Sequence, residues 1–323
     1  MEAAFEEEFA TEAIWFGSGE EITIATRHEI PISKAPSIVT VITAEEIKNS
    51  GYRTFVEILR TVPGFEILKT GDFGVVIPVV RGLTSTFGNK GAFLKKASLK
   101  LLYGEAFRAP TFNEMFTRGQ TALQGNEDLD PETIRTYEIG LSYQFNKYIT
   151  SSVNYFYNDI EGLIVLRLSE SNPNTQRFEN FGDARVQGIE METRVEIMKD
   201  NYIFMNYTFQ NPEDNRGNDL PSTAQHYCNF GVNAHYWKYI NTNISTFVSG
   251  KRSREAGDPR EDLPAYALVN LSVIGKEFFK TMEVQGTVFN LLDKDYSDPG
   301  PVSIPDDLPR PGRTFFVGLS HQF

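Results

Sequence analysis

The chain has 323 residues, with 31 lysines and arginines against 43 aspartates and glutamates, and a formal net charge of -12. Such an acidic chain lacks the basic face that counterion release requires, so nucleic acid is not expected as a partner. Cys228 has no second cysteine to pair with, and no apolar run approaches the roughly 20 residues of a membrane-spanning helix. Hydropathy therefore indicates a soluble protein, except that it misses transmembrane β-barrels, whose strands are only half apolar.

The N-terminal stretch MEAAFEEEFATEAIWFGSGEE is acidic. It has neither the basic region nor the apolar region of a secretory signal peptide, so no signal peptide is visible in this chain.

Two short helices are predicted in the next part of the chain. Thr43 with Glu46, and Thr54 with Glu57, have the three-residue spacing of a capping box. Gly51 then ends the first helix. The remaining predictions for this part are a strand at Ser37–Thr43, the end of the second helix at Pro63-Gly64, and a strand VVIPVVRGL that closes on Arg81-Gly82.

The rest of the chain alternates between apolar and polar residues. In residues 133–145 the odd positions include Tyr137, Ile139 and Leu141, and the even positions are mostly polar. Alternation of this kind predicts strands, and segments of about 9–11 residues or longer can cross a bilayer at barrel tilt. The predicted strands are roughly 96–107, 133–145, 149–168, 176–198, 202–210, 223–237, 240–250, 265–277, 281–291 and 313–323.

Short and long connections alternate between these strands, which is typical of outer-membrane barrels. A soluble β-sandwich also alternates. Aromatic residues at strand ends and Glu, Asn, Ser and Gln at mid-strand instead favour a lipid face and a water-filled lumen. We therefore predict a mostly β protein, an antiparallel transmembrane β-barrel of about ten strands.

Several segments, in this order, resemble the TonB-dependent outer-membrane receptors. They are IVTVITAEEIKNSGYRTFVEILRTVPGFEI followed by VRGL, then YGEAFRAPTFNEMF, GNEDLDPETIRTYEIGLSYQF, FENFGDARVQGIEMET, VFNLLDKDYSDPG and GRTFFVGLSHQF. The resemblance implies a small α/β plug domain, the C-terminal part of a barrel of the 22-stranded type, and a place in the outer membrane of a Gram-negative cell.

The resemblance divides the chain into an acidic extension at 1–21, a truncated plug domain at 22–92 and a C-terminal barrel segment at 93–323. The second half of the plug and about twelve strands of a 22-stranded barrel are missing. Plug-like sequence stops near Gly88-Asn89 and barrel-like sequence resumes near Lys95. We interpret the stretch between them as the join left by an internal deletion.

The resemblance also implies functional residues in the plug and at the C-terminus. Arg81 and Gly82 belong to the plug core, where Arg81 either pairs with lumen carboxylates such as Glu190 and Glu192 or is a solvated lumen charge. A TonB box would be bound by TonB as an added strand. Its candidate residues are Glu21, Ile22, Thr23, Ile24 and Ala25, and those of a C-terminal assembly signal are Phe315, Val317, Leu319 and Phe323.

Candidate ligand-binding residues lie in two long loops. Arg252 and Arg254 belong to the basic loop KRSREAGDPRED, which either attracts an anionic ferric chelate or is neutralised by its own Asp and Glu residues. The loop 108–132 has no histidine to act as an axial ligand, which argues against haem. Its candidates are Arg108, Asn113, Glu114 and Arg118.

The function implied by the resemblance is TonB-dependent uptake of a ferric siderophore or similar metal chelate, with cobalamin as the alternative substrate. Because the chain looks truncated, a small passive pore or a structural barrel remnant is the second possibility. An outer-membrane protease of similar size would need a histidine near carboxylates, and none of the four histidines is placed for catalysis. Expected partners are TonB, the barrel assembly machinery, outer-membrane lipid and the chelate, with no resident cofactor or metal.

Overall fold

The computed structural model describes residues 21–23, 29–31, 40–63, 65–70, 75–80, 86–94, 96–118, 123–169, 172–180, 182–198, 200–236, 239–254, 258–278, 281–300 and 305–321. In chain order the elements are β1 (Glu21–Thr23), β2 (Glu29–Pro31), α1 (Ala44–Ser50), α2 (Phe55–Leu59), β3 (Phe65–Thr70), β4 (Val75–Val80), β5 (Thr86–Leu94), β6 (Ala97–Arg108), α3 (Phe112–Phe116), β7 (Leu123–Gln124), β8 (Glu132–Asn146), β9 (Ile149–Glu161), β10 (Ile164–Ser169), β11 (Asn172–Asn180), β12 (Ala184–Met198), β13 (Asn201–Asp214), β14 (His226–Tyr236), β15 (Ile240–Ser249), β16 (Tyr266–Phe278), β17 (Met282–Phe289), β18 (Ser297–Asp298), β19 (Leu308–Pro309) and β20 (Thr314–His321).

One antiparallel sheet of eleven strands dominates the fold, in the order β20-β17-β16-β15-β14-β13-β12-β9-β8-β6-β5. Among the described strands, β5 and β20 are each paired on one side only, so the described sheet is open rather than closed into a barrel. The sheet confirms the mostly β, antiparallel fold class. Eleven strands agree with the prediction of about ten. The additional strand is β5, which lies in the stretch interpreted as a join and forms a hairpin with β6 through the pair Leu94↔Ala97.

Two predicted long strands are each interrupted. The segment 149–168 splits into β9 and β10, and 176–198 splits between β11 and β12. Gly162 and Gly182 take positive φ angles of 70° and 80° at these breaks, a conformation that favours glycine. The amide of Leu163 donates to the carbonyl of Gly182 at 3.1 Å. The hairpin β10–β11 leaves the main sheet here and pairs with β7 above it.

The connections within the main sheet alternate in length, as predicted. The short ones span 95–96, 147–148, 199–200, 237–239 and 279–281, and the long ones span 109–131, 162–183, 215–225, 250–265 and 290–313. All short turns therefore lie at one end of the strands and all long loops at the opposite end. In the barrel arrangement these are the periplasmic and extracellular sides.

The two faces of the sheet are inverted relative to a soluble sandwich. Polar side chains such as Asn154 (5 % exposed) and Asn243 (1 %) are buried on the inner face, which we define as the face that contacts α1 and α2. Apolar side chains such as Ile139 (50 %) and Leu141 (48 %) are exposed on the outer face. An exposed apolar face with a buried polar lumen suits lipid outside the sheet and not water.

Both predicted capping boxes are present. The Thr43 hydroxyl accepts from the Glu46 amide at 3.1 Å, and the Glu46 carboxylate accepts from the Thr43 amide at 2.8 Å. Thr54 and Glu57 repeat the arrangement. Gly51 caps α1 with φ 75°. None of the described helices is long and apolar enough to cross a membrane.

Two predictions for this part of the chain are wrong in detail. Residues 40–43 of the predicted strand are not in a strand, and residues 37–39 lie outside the described residues. The second helix ends at Leu59, well before Pro63, because Arg60 and Thr61 continue as turns. Its first residue, Phe55, is 72 % exposed, and none of the five residues of α2 is buried.

Candidate functional site

Helix α1 is seated on the inner face of the sheet through ion pairs at both of its ends. Its acidic first turn faces basic side chains of the sheet and its basic last turn faces an acidic one, so the charges complement the helix dipole. The Gln285 side chain also donates to the Lys48 carbonyl at 3.0 Å. The ion pairs join Glu46 to Arg194, Lys48 to Glu283 (2.5 Å) and Glu45 to Lys276 (3.8 Å).

The turn after α2 is held by buried amide side chains. Asn206 donates to the Thr61 carbonyl at 2.6 Å, and Asn229 donates to the Arg60 carbonyl at 3.0 Å. The two asparagines also bond to each other at 2.9 Å. Carbonyls beyond a helix end lack intrahelical partners, and these amides supply them. The helices therefore lie against the lumen wall and do not hang free of it.

A cavity of about 480 Å³ lies between α2 and the inner face, and we call it the lumen cavity. Three guanidinium groups line it, those of Arg53, Arg60 and Arg310. Aromatic rings lie beside two of them: Arg53 is 4.3 Å from the Phe316 ring centroid and Arg60 is 5.7 Å from that of Phe247. Glu57 also lines the cavity, so three basic groups and one acidic group face it beside aromatic rings. This excess of positive charge suits an anionic ligand with planar groups.

A buried ion pair joins two of the long loops, 250–265 and 290–313. The Arg252 guanidinium lies 3.0 Å from the Asp298 carboxylate, with the side chains 2 % and 3 % exposed. Arg252 also donates to the Ser297 carbonyl at 2.7 Å and lies 5.0 Å from the Tyr266 ring centroid. Arg310 approaches the second oxygen of Asp298 at 3.6 Å. We call this network, with the neighbouring pairs described next, the loop clasp.

The clasp continues with bidentate pairs. Arg254 donates to both oxygens of Asp307 at 2.7 and 2.8 Å, and Arg260 donates to Asp258 at 2.6 Å. Arg260 also donates to the Gly300 carbonyl at 2.8 Å. The predicted ligand-loop residues Arg252 and Arg254 are thus held mainly by aspartates of the loop 290–313 and not by acidic residues of the basic loop itself.

These contacts predict how the clasp responds to acid. The hydrogen bond from Arg260 lowers the pKa of Asp258 to about 2, and that from Arg254 lowers the pKa of Asp307. A depressed carboxylate pKa stabilises the folded state above the unfolded value of about 3.9, and this contribution is lost as the pH falls through the folded value. The clasp should therefore hold at about pH 5 and loosen near pH 2.

Spin labels can test this. Cysteines replacing the exposed Glu261 and Asp306, in a Cys228→Ser background, would report the distance between the two loops. We expect one narrow distance distribution from about pH 7 to 5 and a broad one near pH 2. Asp258→Asn should broaden it at every pH. A distribution that already broadens between pH 7 and 5 would contradict the assignment.

A second clasp lies in the loop after β6. Arg108 donates to both oxygens of Glu132 at 2.6 and 2.8 Å and to Glu114 at 3.0 and 3.1 Å. Burial opposes ionisation of Glu114, but the hydrogen bonds from Arg108 and Thr111 lower its pKa. Asn113 is exposed on α3. Two of the four candidates in this loop thus bond each other.

The next part of the same loop is tied to the hairpin β10–β11. The Asn126 side chain donates to the Phe178 carbonyl at 3.0 Å and accepts from Arg177 at 2.7 Å. Arg118 pairs with Glu127 in an exposed ion pair. These contacts fold the loop. Four strands of the sheet, β9, β12, β13 and β14, separate it from the loop clasp.

The remaining predicted residues belong to the candidate TonB box, the plug core and the C-terminal assembly signal. Glu21, Ile22 and Thr23 form β1, which pairs with β2 in a short hairpin through Ile22↔Ile30. Phe315, Val317 and Leu319 are exposed on the outer face of β20, by 68 %, 77 % and 67 %. Ile24, Ala25, Arg81, Gly82 and Phe323 lie outside the described residues.

The sequence did not point to Arg60, Arg310 or Asp298. Asp298 stands in VFNLLDKDYSDPG, a segment that carried the family resemblance, but nothing local shows that it pairs with an arginine 46 positions earlier in the chain. Arg60 belongs to a helix turn, where a basic residue usually faces solvent. The lumen cavity and the loop clasp both arise from contacts between segments that are distant in the chain.

Comparison with known proteins identifies the chain. The family profile described as "TonB dependent receptor-like, beta-barrel" matches residues 91–291, more than half of the chain. This protein is a member of the TonB-dependent receptor family. The profile "TonB-dependent Receptor Plug Domain" matches residues 31–139, so the two matches overlap where plug-like sequence meets barrel-like sequence.

The chain is also similar to individual TonB-dependent transporters and receptors. It is 26 % identical over 247 residues to the vitamin B12 transporter BtuB of Vibrio vulnificus, covering 74 % of this chain and 36 % of that protein. It is 25 % identical over 298 residues to the ferric enterobactin receptor PirA of Pseudomonas aeruginosa, covering 81 % and 38 %. The chain thus spans less than two fifths of the length of these relatives.

A solved structure shows the same fold. The crystal structure of a variant of the ferric enterobactin receptor PfeA of Pseudomonas aeruginosa matches with a TM-score of 0.60 and 23 % identity, over 73 % of this chain and 39 % of that one. The family consists of outer-membrane receptors and transporters and not of enzymes.

Proposed function

We propose that this receptor chain takes part in TonB-dependent uptake of a ferric siderophore or a similar metal chelate, which it binds in the lumen cavity. The observation that supports this most is the cavity itself, where Arg53, Arg60 and Arg310 converge between α2 and the sheet. Guanidinium groups beside aromatic rings favour an anionic chelate with planar donors. The relatives are named for ferric enterobactin and for vitamin B12, so cobalamin is the alternative substrate.

The proposal requires a TonB-binding segment. We assign it to Glu21, Ile22, Thr23, Ile24 and Ala25, of which the first three form β1. A three-residue strand in a two-stranded hairpin is weakly held. TonB could therefore replace β2 as the partner strand of β1, through main-chain hydrogen bonds.

Further assignments follow from the same proposal. The proposed domains are the predicted extension at 1–21, plug at 22–92 and barrel segment at 93–323, although β5 crosses the plug–barrel limit and pairs with β6 in the main sheet. Arg81 and Gly82 would belong to the plug core. The barrel assembly machinery would read the outer-face residues of the last strand, and lipid would cover that face. Those residues are Phe315, Val317, Leu319 and Phe323.

Binding of the chelate can be measured directly. We expect Arg60→Gln to weaken retention of ferric enterobactin by outer membranes carrying this chain by about tenfold, because a charge-assisted contact is lost. Arg313→Gln removes an exposed charge that pairs with Asp293 and serves as the matched control. Radiolabelled iron reports the ferric chelate, and labelled cyanocobalamin tests the alternative substrate. Equal retention by the two variants would exclude the cavity as the binding site.

A small passive pore is the second candidate, because the described sheet has two unpaired edges, β5 and β20. Bilayers do not tolerate open sheet edges, so the strands would have to close in the membrane. Steady ion conductance of the purified chain in a planar bilayer, without chelate binding, would favour the pore. Chelate binding without conductance would favour the receptor.

A further inference from the structure

The outer face of the sheet carries a row of five charged side chains, one from each of five successive strands. They are direct cross-strand neighbours in the register of β6, β8, β9, β12 and β13, and their signs alternate along the row. We call them the charged row: Glu105, Arg135, Asp159, Arg185 and Glu213.

Two neighbouring pairs of the row lie within ion-pair distance. The Arg135 guanidinium lies 3.9 Å from the Glu105 carboxylate and the Arg185 guanidinium 3.5 Å from that of Asp159. Arg135 also pairs with Glu161 at 2.7 Å, two residues further toward the long loops. Despite these contacts the side chains stay open, with Arg185 71 % exposed and Glu105 55 %.

The depth of the row follows from the rows beneath it. One step toward the short turns, Tyr103, Tyr137 and Tyr157 are cross-strand neighbours, with ring centroids 5.1 and 6.3 Å apart. The step after that begins the apolar surface with Leu101 and Ile139. A tyrosine row between apolar and charged residues marks the membrane interface.

The charged row therefore lies two residues beyond the tyrosines, or about 7 Å further along each strand. The long loops are on this side, so the row is at the outer leaflet. Its charges would be costly at the bilayer midplane but not near the interface. Because it continues the lipid-facing surface without a break, the lipid headgroups are its natural neighbours.

We propose that the charged row binds phosphate-bearing lipid headgroups of the outer leaflet together with the divalent cations that bridge them. Arg135 and Arg185 would donate to phosphate oxygens, for which guanidinium forks are well suited. Glu105, Asp159 and Glu213 would supply oxygen ligands to the cations. This surface is separate from the lumen cavity and adds a lipid-binding function to the receptor.

The alternation of sign is what selects this partner. With three carboxylates against two guanidinium groups, the row would repel a purely anionic headgroup layer. Phosphates interleaved with magnesium or calcium present both signs at close spacing. Neighbouring strands lie about 4.8 Å apart, so opposite charges recur at a spacing comparable to a phosphate and its cation.

Lipid retention by the full chain tests the proposal. The chain in dodecyl maltoside micelles would be titrated with dioctanoylphosphatidic acid, with and without magnesium, and bound lipid counted by native mass spectrometry. We expect Arg185→Gln to weaken retention by about fivefold. Arg185→Lys should restore most of it. Arg216→Gln is the matched control, since Arg216 is exposed on the loop between β13 and β14, and it should retain the lipid as the parent chain does.

Variants of the carboxylates test whether the row binds divalent cations. Magnesium should strengthen retention in the parent chain, and Glu213→Gln together with Asp159→Asn should abolish that gain. Dioctanoylphosphatidylcholine should bind no better to the parent chain than to Arg185→Gln. The proposal would be overturned if Arg185→Gln and Arg216→Gln retained phosphatidic acid equally while circular dichroism showed both to be folded, or if magnesium had no effect on the parent chain.

Discussion

Replacing Arg252 by glutamine is expected to lower the free energy of unfolding by about 3–5 kcal/mol. Arg252 and Asp298 are among the most deeply buried ionic groups in the described part of the chain, at 2 % and 3 % exposure of their side chains. Removing one partner leaves the other charge buried without its counter-ion, which costs far more than the pair itself contributes. Arg310, at 3.6 Å from Asp298, remains and should hold the loss toward the lower end of this range.

The measurement is urea unfolding of the chain refolded in lipid vesicles, followed by circular dichroism. Arg313→Gln is the control, because it breaks the exposed pair with Asp293, whose side chains are 41 % and 56 % exposed. Exposed pairs contribute less than about 1 kcal/mol. Arg252→Met combined with Asp298→Leu should recover part of the loss, since neither member of the pair is left alone, whereas Arg310 then loses its own carboxylate partner. Equal effects of Arg252→Gln and Arg313→Gln would show that the clasp is not buried.

This result also separates two roles for the basic loop. If Arg252 holds the loops together, its replacement should reduce stability and chelate retention in parallel. Arg60 lies in the lumen cavity and bonds to the sheet through its main chain, so Arg60→Gln should reduce retention with a smaller loss of stability. If Arg252→Gln instead lost chelate retention while its stability stayed constant, Arg252 would contact the ligand.

Local sequence rules predicted the elements that depend on local physics. The strand 133–145 became β8, Glu132–Asn146, because alternation alone decides which face of a lipid-facing strand is apolar. The boxes at Thr43 and Thr54 formed because a capping box needs only residues three apart. The lengths of the connections followed from the turn residues between these strands.

Features that depend on distant segments could not be predicted in the same way. Strand parity continues through 149–168, and only the fold of the neighbouring loop explains why the chain leaves the sheet at Gly162. The strand β5 lies in a stretch whose sequence alone indicates a join, because its pairing is set by β6 and not by its own pattern. Likewise, Arg252 and Arg254 pair with aspartates 46 and 53 residues away in the chain. Arg260 pairs with Asp258 inside the basic loop.

Replacing Gly51 by alanine is expected to unseat α1 from the inner face. A Cβ at this position would lie 2.4 Å from the Thr287 Oγ1 atom, 2.9 Å from its Cγ2 and 3.0 Å from the Ser272 Oγ atom. The residue also has φ 75°, which costs a side chain about 1–2 kcal/mol. Overpacking adds about 1–3 kcal/mol. Gly217→Ala is the matched control, because Gly217 has φ 80° and nothing lies within 4 Å of its added Cβ.

The difference between these two variants isolates the contact of the helix with the wall from the backbone strain that they share. Hydrogen exchange at the amides of α1 is the measurement: Gly51→Ala should accelerate it, and Gly217→Ala should not. Thr287→Ala removes the two closest atoms, so it should slow exchange again in the Gly51→Ala background. If exchange rises in α1 while β15 and β16 stay protected, the helix can leave the wall without unfolding the sheet. TonB-driven movement of the plug would require that independence, because three ion pairs join α1 to the sheet. If α1 and the sheet lose protection together, plug and wall form one cooperative unit, and movement of α1 alone would be excluded.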